Sequence, residues 1–203
     1  MDKAAQRRDE QRRRLIEAAE RAIEAGGHSA IKARDLSRET GVALGAIYNL
    51  VADLDELFFR VASRTLARLD AALAEASEGP CRSREQACAR LVAIAQAYQR
   101  FASEHLNLWS ALFEHHFADD KPTPDWSLAD QLSLFRFILE PLRTLMPDAR
   151  EEQRQRWAQT LFSAVHGVVT LGLERRIVAV PLDDIDGQLE SFVRAVCAGL
   201  PHR

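Results

Sequence analysis

The run Asp35-Leu36-Ser37-Arg38-Glu39-Thr40-Gly41-Val42-Ala43-Leu44-Gly45-Ala46-Ile47-Tyr48 carries the residues best suited to chemistry with another molecule. Its spacing turns Leu36 and Ile47 inward on two short helices, with Gly41 at the tight connection between them. The outer face of the second helix then presents Leu44, Gly45, Tyr48 and, one residue on, Asn49. A phenol hydroxyl can donate to a phosphate, an asparagine amide can meet a phosphate or a base edge, and a glycine lets a nucleic-acid backbone approach closely. Two short helices crossing steeply at such a turn leave the second free to enter a major groove. Taken alone, the same pattern also describes a helical hairpin inside an ordinary bundle.

Other reactive residue types form weaker constellations. His105, His115, His116, Asp119 and Asp120 are close in sequence, but adjacent histidines leave a helix on different faces, so no metal site is expected. Cys81, Cys88 and Cys197 are odd in number and lack CxxC or Cys/His spacing, which predicts reduced thiols. Ser163 and His166 are three residues apart with no third group to orient the imidazole. Neither paired acid–base carboxylates nor a phosphate loop is recognisable, which counts against an all-α enzyme and implies no cofactor. Trp109, Phe113, His116, Trp126, Phe135, Phe162 and His166 form an aromatic set with two polar handles, able either to line a hydrophobic ligand cavity or to fill a core.

Charge separates the chain more clearly than its net value of -3. Residues 1–50 hold ten Lys and Arg against eight Asp and Glu, whereas the remainder holds seventeen against twenty-two. At the start, Lys3, Arg7, Arg8, Arg12, Arg13 and Arg14 face only Asp2, Asp9 and Glu10, a basic arm suited to phosphate contact. No apolar run approaches the roughly 20 residues needed to cross a bilayer, so no membrane partner is expected. Nor does an apolar stretch follow the basic residues before Leu15, as a secretory signal requires, so the expected location is the cytoplasm.

The elements that must position these residues read as helices throughout. Leu15, Ile16, Ala19, Ala22 and Ile23 stripe one helix face up to Gly26-Gly27. Short helices are expected over Ala33–Glu39 and Leu44–Leu50, and acidic Asp53-Leu54-Asp55-Glu56 suits the start of a long helix through Leu57, Val61, Leu66, Leu69 and Leu73. Further helices are expected over Glu85–Phe101, Leu106–Phe117 and Leu128–Met146, the last with Ser127 as N-cap and a bend at Pro141, then from Pro147-Asp148 to about Arg176. The final helix, Leu182–Leu200, carries the stripe Leu182, Ile185, Leu189, Phe192 and Val196. No stretch alternates at period two, so the fold class is all-α with about nine helices.

The segments Leu15-Ile16-Glu17-Ala18-Ala19 through Gly27, Asp35-Leu36, Gly41-Val42 and Gly45-Ala46-Ile47-Tyr48 resemble the DNA-binding domain of the TetR (tetracycline repressor) family over residues 1–57. That resemblance implies a helix-turn-helix domain over 1–52, its residues 1–11 a flexible basic arm, and a ligand-binding and dimerisation domain over 53–203. It places Ala43, Leu44, Gly45, Ala46, Tyr48 and Asn49 against double-stranded operator DNA and lets Lys32 reach a phosphate. It implies a homodimer joined through its last two helices, with Leu161, Val165, Val168, Leu189, Phe192 and Val196 as interface candidates or monomer core, and a small, largely hydrophobic inducer. Function on this reading is transcriptional regulation, by repression relieved when the inducer binds; the competing readings are an all-α enzyme and a protein-binding bundle without DNA affinity. The sequence departs from the family where a His-Phe pair and a phosphate-binding lysine are usual, having Leu50-Val51 and Leu54 instead. Trp157 with His166-Gly167 is similar to the branch named for a Trp/His/Gly motif.

Overall fold

The computed structural model describes residues 3–114, 124–176 and 178–200. Among the described residues there are ten α-helices and two 3-10 segments and no strand, in agreement with the all-α expectation. They are α1 (Lys3–Gly26), a 3-10 turn (His28–Ala30), α2 (Ala33–Thr40), α3 (Leu44–Ile47), α4 (Leu54–Ala76), α5 (Arg84–Glu104) and α6 (Leu106–Glu114). After them come α7 (Asp125–Ser133), α8 (Arg136–Leu145), α9 (Glu151–Leu173), a second 3-10 turn (Leu182–Asp184) and α10 (Ile185–Gly199). The chain divides into two compact units, Met1–Ala67 with His105–Asp130, and Arg68–Glu104 with Gln131–Arg203. A boundary at residue 52 therefore does not coincide with this division: the first half of α4 and all of α6 belong with the helix-turn-helix.

In the first unit α1 buries Leu15, Ala18, Ala19 and Ile23, spaced three and four apart, and packs on α2 and α6. Leu36, Val42, Ile47, Leu50, Val51, Leu57, Phe58, Leu108 and Ala111 complete one apolar cluster with them. Glu20 is buried in the same helix and is matched by Arg64 of α4 at 2.9 Å, as a buried carboxylate requires. Residues 3–11 are the opening turns of α1 and not a separate arm. Nothing in that stretch breaks a helix, and Arg13 and Arg14 reach Glu10 and Glu17 at 2.7 and 2.8 Å along it.

The second unit is organised around α5, which buries Ala87, Leu91, Ile94, Ala95, Tyr98, Phe101 and Ala102 and packs against α8, α9 and α10. Buried Arg90 on the same helix donates to Glu140 at 2.7 Å and to the Gly79 carbonyl. The helix expected over Leu128–Met146 is two helices, broken at Leu134-Phe135. Pro141 lies inside α8 and is buried; the break precedes it by more than a turn, placing Phe137, whose carbonyl would have faced the missing proline N–H, in the first turn of a new helix. Ser127 is not an N-cap but a fully buried residue within α7.

Gly172 of α9 packs tightly on α10: a Cβ there would overlap Ile185 Cδ1 and lie 3.2 Å from Ile185 Cγ1, and Ile185 is wholly buried. An added Cβ at Gly167, by contrast, meets nothing within 4 Å. Gly172→Ala should therefore destabilise the fold by about 1–3 kcal/mol through overpacking. Gly167→Ala should be neutral or stabilising by up to about 1 kcal/mol, as expected for alanine in a helix. Urea denaturation of the two variants checks this; equal stabilities would contradict the close packing.

Candidate nucleic-acid interface

Geometry at the second and third helices follows from one residue. Gly41 caps α2 with φ 70°, ψ 7°, and its N–H donates to the Ser37 carbonyl. A left-handed residue here reverses the chain within three positions, a conformation that costs other L-residues about 1 kcal/mol or more. Side chains of α2 then fasten the turn: Ser37 Oγ donates to the Val42 carbonyl at 2.7 Å, and Thr40 Oγ1 accepts from the Val42 N–H at 3.3 Å. Val42 is driven into the core beside Leu36 and Ile47, and the opposite face of α3 is left outside. On that face Leu44 is 42% and Tyr48 50% exposed, and Gly45 and Asn49 are exposed as well. A Cβ on Gly45 would meet no atom within 4 Å, so nothing inside the protein requires a glycine there.

The α3 segment is helical only over Leu44–Ile47, continuing as tight turns to Leu50. Its far end is held by cations from α1: Arg8 Nη2 donates to the Asn49 carbonyl and Arg12 Nε to the Leu50 carbonyl, both at 2.8 Å. Guanidinium groups at this end satisfy carbonyls a helix leaves unpaired and complement its dipole. From the other side Glu56 of α4 accepts the Ala52 N–H at 2.6 Å and Arg60 at 2.6 Å. Burial alone would raise the Glu56 carboxyl; the bonds from Ala52 and Arg60 outweigh it and hold the group below its ordinary value. Asp53 starts α4 by accepting the Glu56 N–H at 2.8 Å, an N-cap of the usual kind. Arg8, Arg12 and Glu56 are thus site residues that the sequence pattern does not reveal, since a basic run signals phosphate contact and says nothing of internal carbonyls.

The other candidate residues fall as follows. Lys32 is exposed at the N-cap position of α2, where it offers no side-chain acceptor. Ala43 is exposed and Ala46 half-buried. Leu50 and Val51 are buried and Leu54 packs against the same core, so the positions that depart from the family pattern contribute apolar contacts. Of the aromatic set, Trp109, Phe113 and Trp126 lie in the first unit, with Trp109 and Phe113 edge to face at 5.5 Å and Arg60 5.9 Å over Trp126. Phe135, Phe162 and His166 lie in the second unit, where Phe162 stacks on His166 at 5.5 Å and meets Phe135 at 5.6 Å. His116 falls outside the described residues. No group of three His, Cys, Asp or Glu among the described residues is arranged to hold a metal. Leu161, Val165 and Leu189 are buried within their own unit, whereas Val168 and Val196 are half-buried and Phe192 is 36% exposed.

Residues 91–196 match the family model described as the tetracyclin repressor-like C-terminal domain. The chain belongs to the TetR family of transcriptional regulators. No curated protein sequence matches it. A solved protein of unknown function from Rhodococcus sp. RHA1 is 25% identical, with a TM-score of 0.71, 91% of this chain covered and 94% of that one. A TetR transcriptional regulator from the same organism is 16% identical (TM-score 0.60; 95% and 99% covered), and the TetR-family regulator PfmR from Thermus thermophilus is also 16% identical (TM-score 0.62; 93% and 99% covered). These likenesses extend the shared fold over more than 90% of the chain. Membership makes the chain a regulator and not an enzyme, and no helix among its described residues is long and apolar enough to cross a membrane.

Within this TetR-family chain the second unit holds a polar–aromatic group and an open cleft. Tyr98 Oη and His166 Nδ1 are hydrogen-bonded at 2.8 Å, with Thr170 Oγ1 3.4 Å from Nε2. Separately, Met146, Asp148, Gln153, Arg156, Trp157 and Thr160 border an open cleft of about 480 Å³. Burial pushes the His166 pKa below its ordinary 6.5, so the imidazole is neutral beside Tyr98. The unfolded chain then binds the extra proton first: stability is full above the unfolded value and falls as pH drops through 6.5 toward the lower folded value. His166→Gln should flatten that loss. Comparing urea midpoints at about pH 7.5 and about pH 5.5 tests it, and an undiminished drop in the variant would place the titration elsewhere.

Proposed function

We propose that this TetR-family protein is a dimeric one-component repressor whose α3 enters the major groove of operator DNA and whose release is driven by a small, largely hydrophobic inducer. The observation that carries the reading is the outer face of α3. Leu44 and Tyr48 stand in solvent beside a glycine with open space above it, on a helix whose inner face is fully buried. Exposed apolar groups on a rigid, short helix suit contact with a thymine methyl and with groove shape better than rich hydrogen-bonded base reading. Tyr48, Asn49 and Lys32 supply phosphate contacts at the two ends of the motif. With Arg8 and Arg12 turned to internal carbonyls, Lys3 and Arg7 are the residues of the arm left for the backbone. Leu54 does not supply the family's usual lysine contact, so the docking is expected to rely on these other groups.

A homodimer is proposed through α9 and α10, with Val168, Phe192 and Val196 as the accessible part of the candidate face. The inducer is proposed to bind in the second unit, beside Phe135, Phe162 and His166. Assignment to the Trp/His/Gly branch rests on Trp157 and His166-Gly167 and is proposed on those residues alone.

Binding of the purified protein to the DNA flanking its own coding region, over a salt series, tests the central claim. Saturable binding should weaken with salt by close to one power of concentration for each phosphate contacted. Tyr48→Ala should lose about 10- to 100-fold in affinity, the worth of one charge-assisted hydrogen bond. Gly45→Ala should also lose affinity while melting no lower than the parent, because the added methyl blocks the DNA and not the protein. No binding to any DNA at low salt, or both variants binding like the parent, would overturn the reading. For assembly, Phe192→Glu should convert dimer to monomer in sedimentation with unchanged helicity; a dimer that persists would move the interface off this face.

A further inference from the structure

Trp126 of α7 keeps 42% of its surface exposed and lends its ring to two residues of α4. The Arg60 guanidinium lies 5.9 Å from the indole centroid, and Phe59 meets the ring edge to face at 6.1 Å. One turn further along α7, Asp130 accepts from Ser63 Oγ of α4. These two helices are therefore fastened at two points, and the points lead to different places. Arg60 also donates through Nε and Nη2 to Glu56 Oε1, at 2.9 and 2.6 Å, while Glu56 Oε2 accepts the Ala52 N–H at 2.6 Å in the turn between α3 and α4. The contacts thus run from Trp126 through Arg60 and Glu56 to the end of the α3 segment. The Ser63–Asp130 bond shares no group with that chain.

We infer, on the reading of α3 as the operator-facing helix, that Trp126 is a positioning residue for DNA binding, acting through Arg60 and Glu56 on the turn that ends α3. An exposed ion pair between neighbours on one helix is weak alone, because a long arginine side chain must give up its freedom to hold one geometry. A ring face beside the guanidinium favours the arrangement that also reaches Glu56 and so reduces that cost. Glu56, held by one oxygen, keeps the other on the Ala52 N–H. A helix of four residues takes its pose from its neighbours, so slack at Ala52 reaches Leu44 and Tyr48 directly. Movement of α7 away from α4 removes the ring from Arg60, loosens that turn and lowers affinity for DNA. Trp126 belongs by its contacts to the support of α3, a role its aromatic type does not signal in the sequence.

The test uses the full-length protein and two readouts, affinity for the DNA flanking its own coding region and amide hydrogen exchange at Ala52 measured without DNA. Trp126→Leu should weaken DNA binding about two- to fivefold, the worth of one partly exposed cation–π contact, and speed Ala52 exchange by a similar factor, with helicity unchanged by circular dichroism. Trp126→Phe keeps a ring face and should restore most of both. Ser63→Ala removes the other bond between α4 and α7 and should change each readout by less than Trp126→Leu does, whatever its effect on melting. In an Arg60→Gln background, Trp126→Leu should have no further effect. Parent-like values in Trp126→Leu, equal losses in Ser63→Ala, or additive losses in the double variant would each overturn the inference and leave the DNA-binding reading standing. A parent that binds no DNA overturns that reading and, with it, the role in operator binding; exchange at Ala52 then separately shows whether Trp126 holds the turn.

Discussion

Everything α3 presents depends on the left-handed backbone at Gly41. With φ 70° there, the chain leaves α2 and reverses in time for Val42 to drop into the core and for Ala43 to begin the next helix. A β-carbon at that position would push the backbone toward φ < 0, and the axis of α3 would swing with it. Ser37 and Thr40 reinforce the same turn through side-chain bonds to the Val42 backbone, so its geometry is set three times over.

A four-residue helix has no stability of its own, since nucleation already fixes more dihedrals than one turn repays. The pose of α3 is therefore a property of its surroundings. Ile47, Leu50 and Val51 are each nearly or fully buried, and burial of such side chains is worth about 1.5–3 kcal/mol apiece. Arg8 and Arg12 hold the last carbonyls from α1, and Glu56 holds the Ala52 N–H from α4. This arrangement ties α3 to α1 and α4 instead of leaving it on a loop.

How much of this is legible in the sequence varies with the range of the forces involved. The stripe of α1, the Gly41 turn and the inward Leu36 and Ile47 follow from periodicity and glycine chemistry, which act locally. The residues of the expected flexible arm are helical, and Arg8 and Arg12 find acceptors some forty positions away, a fact no local pattern carries. On α10 the expected stripe is Leu182, Ile185, Leu189, Phe192 and Val196, but the buried face runs Ile185, Leu189, Val193 and Cys197, strict steps of four. Both sets are apolar, and only packing against α5 and α9 chooses between them. The aromatic set looks like one group in the sequence because aromatics share a type; the chain distributes its described members over two units.

That choice on α10 bears on how a family that dimerises through its last helices can use this one. Leu161, Val165 and Leu189 are occupied by the unit's own core, so their apolar area is already removed from water and cannot be removed again by a partner. Any interface on these helices must draw on what the core leaves over: Phe192 on α10, Leu171 on α9, and the half-buried Val168 and Val196. Gly167 sits one residue before Val168, and a Cβ there would meet nothing inside the chain, whereas Gly172 on the same helix is required by Ile185. One glycine of α9 thus serves packing within the subunit. The other meets no neighbouring atom within 4 Å at its Cβ position, so packing within the chain does not require it.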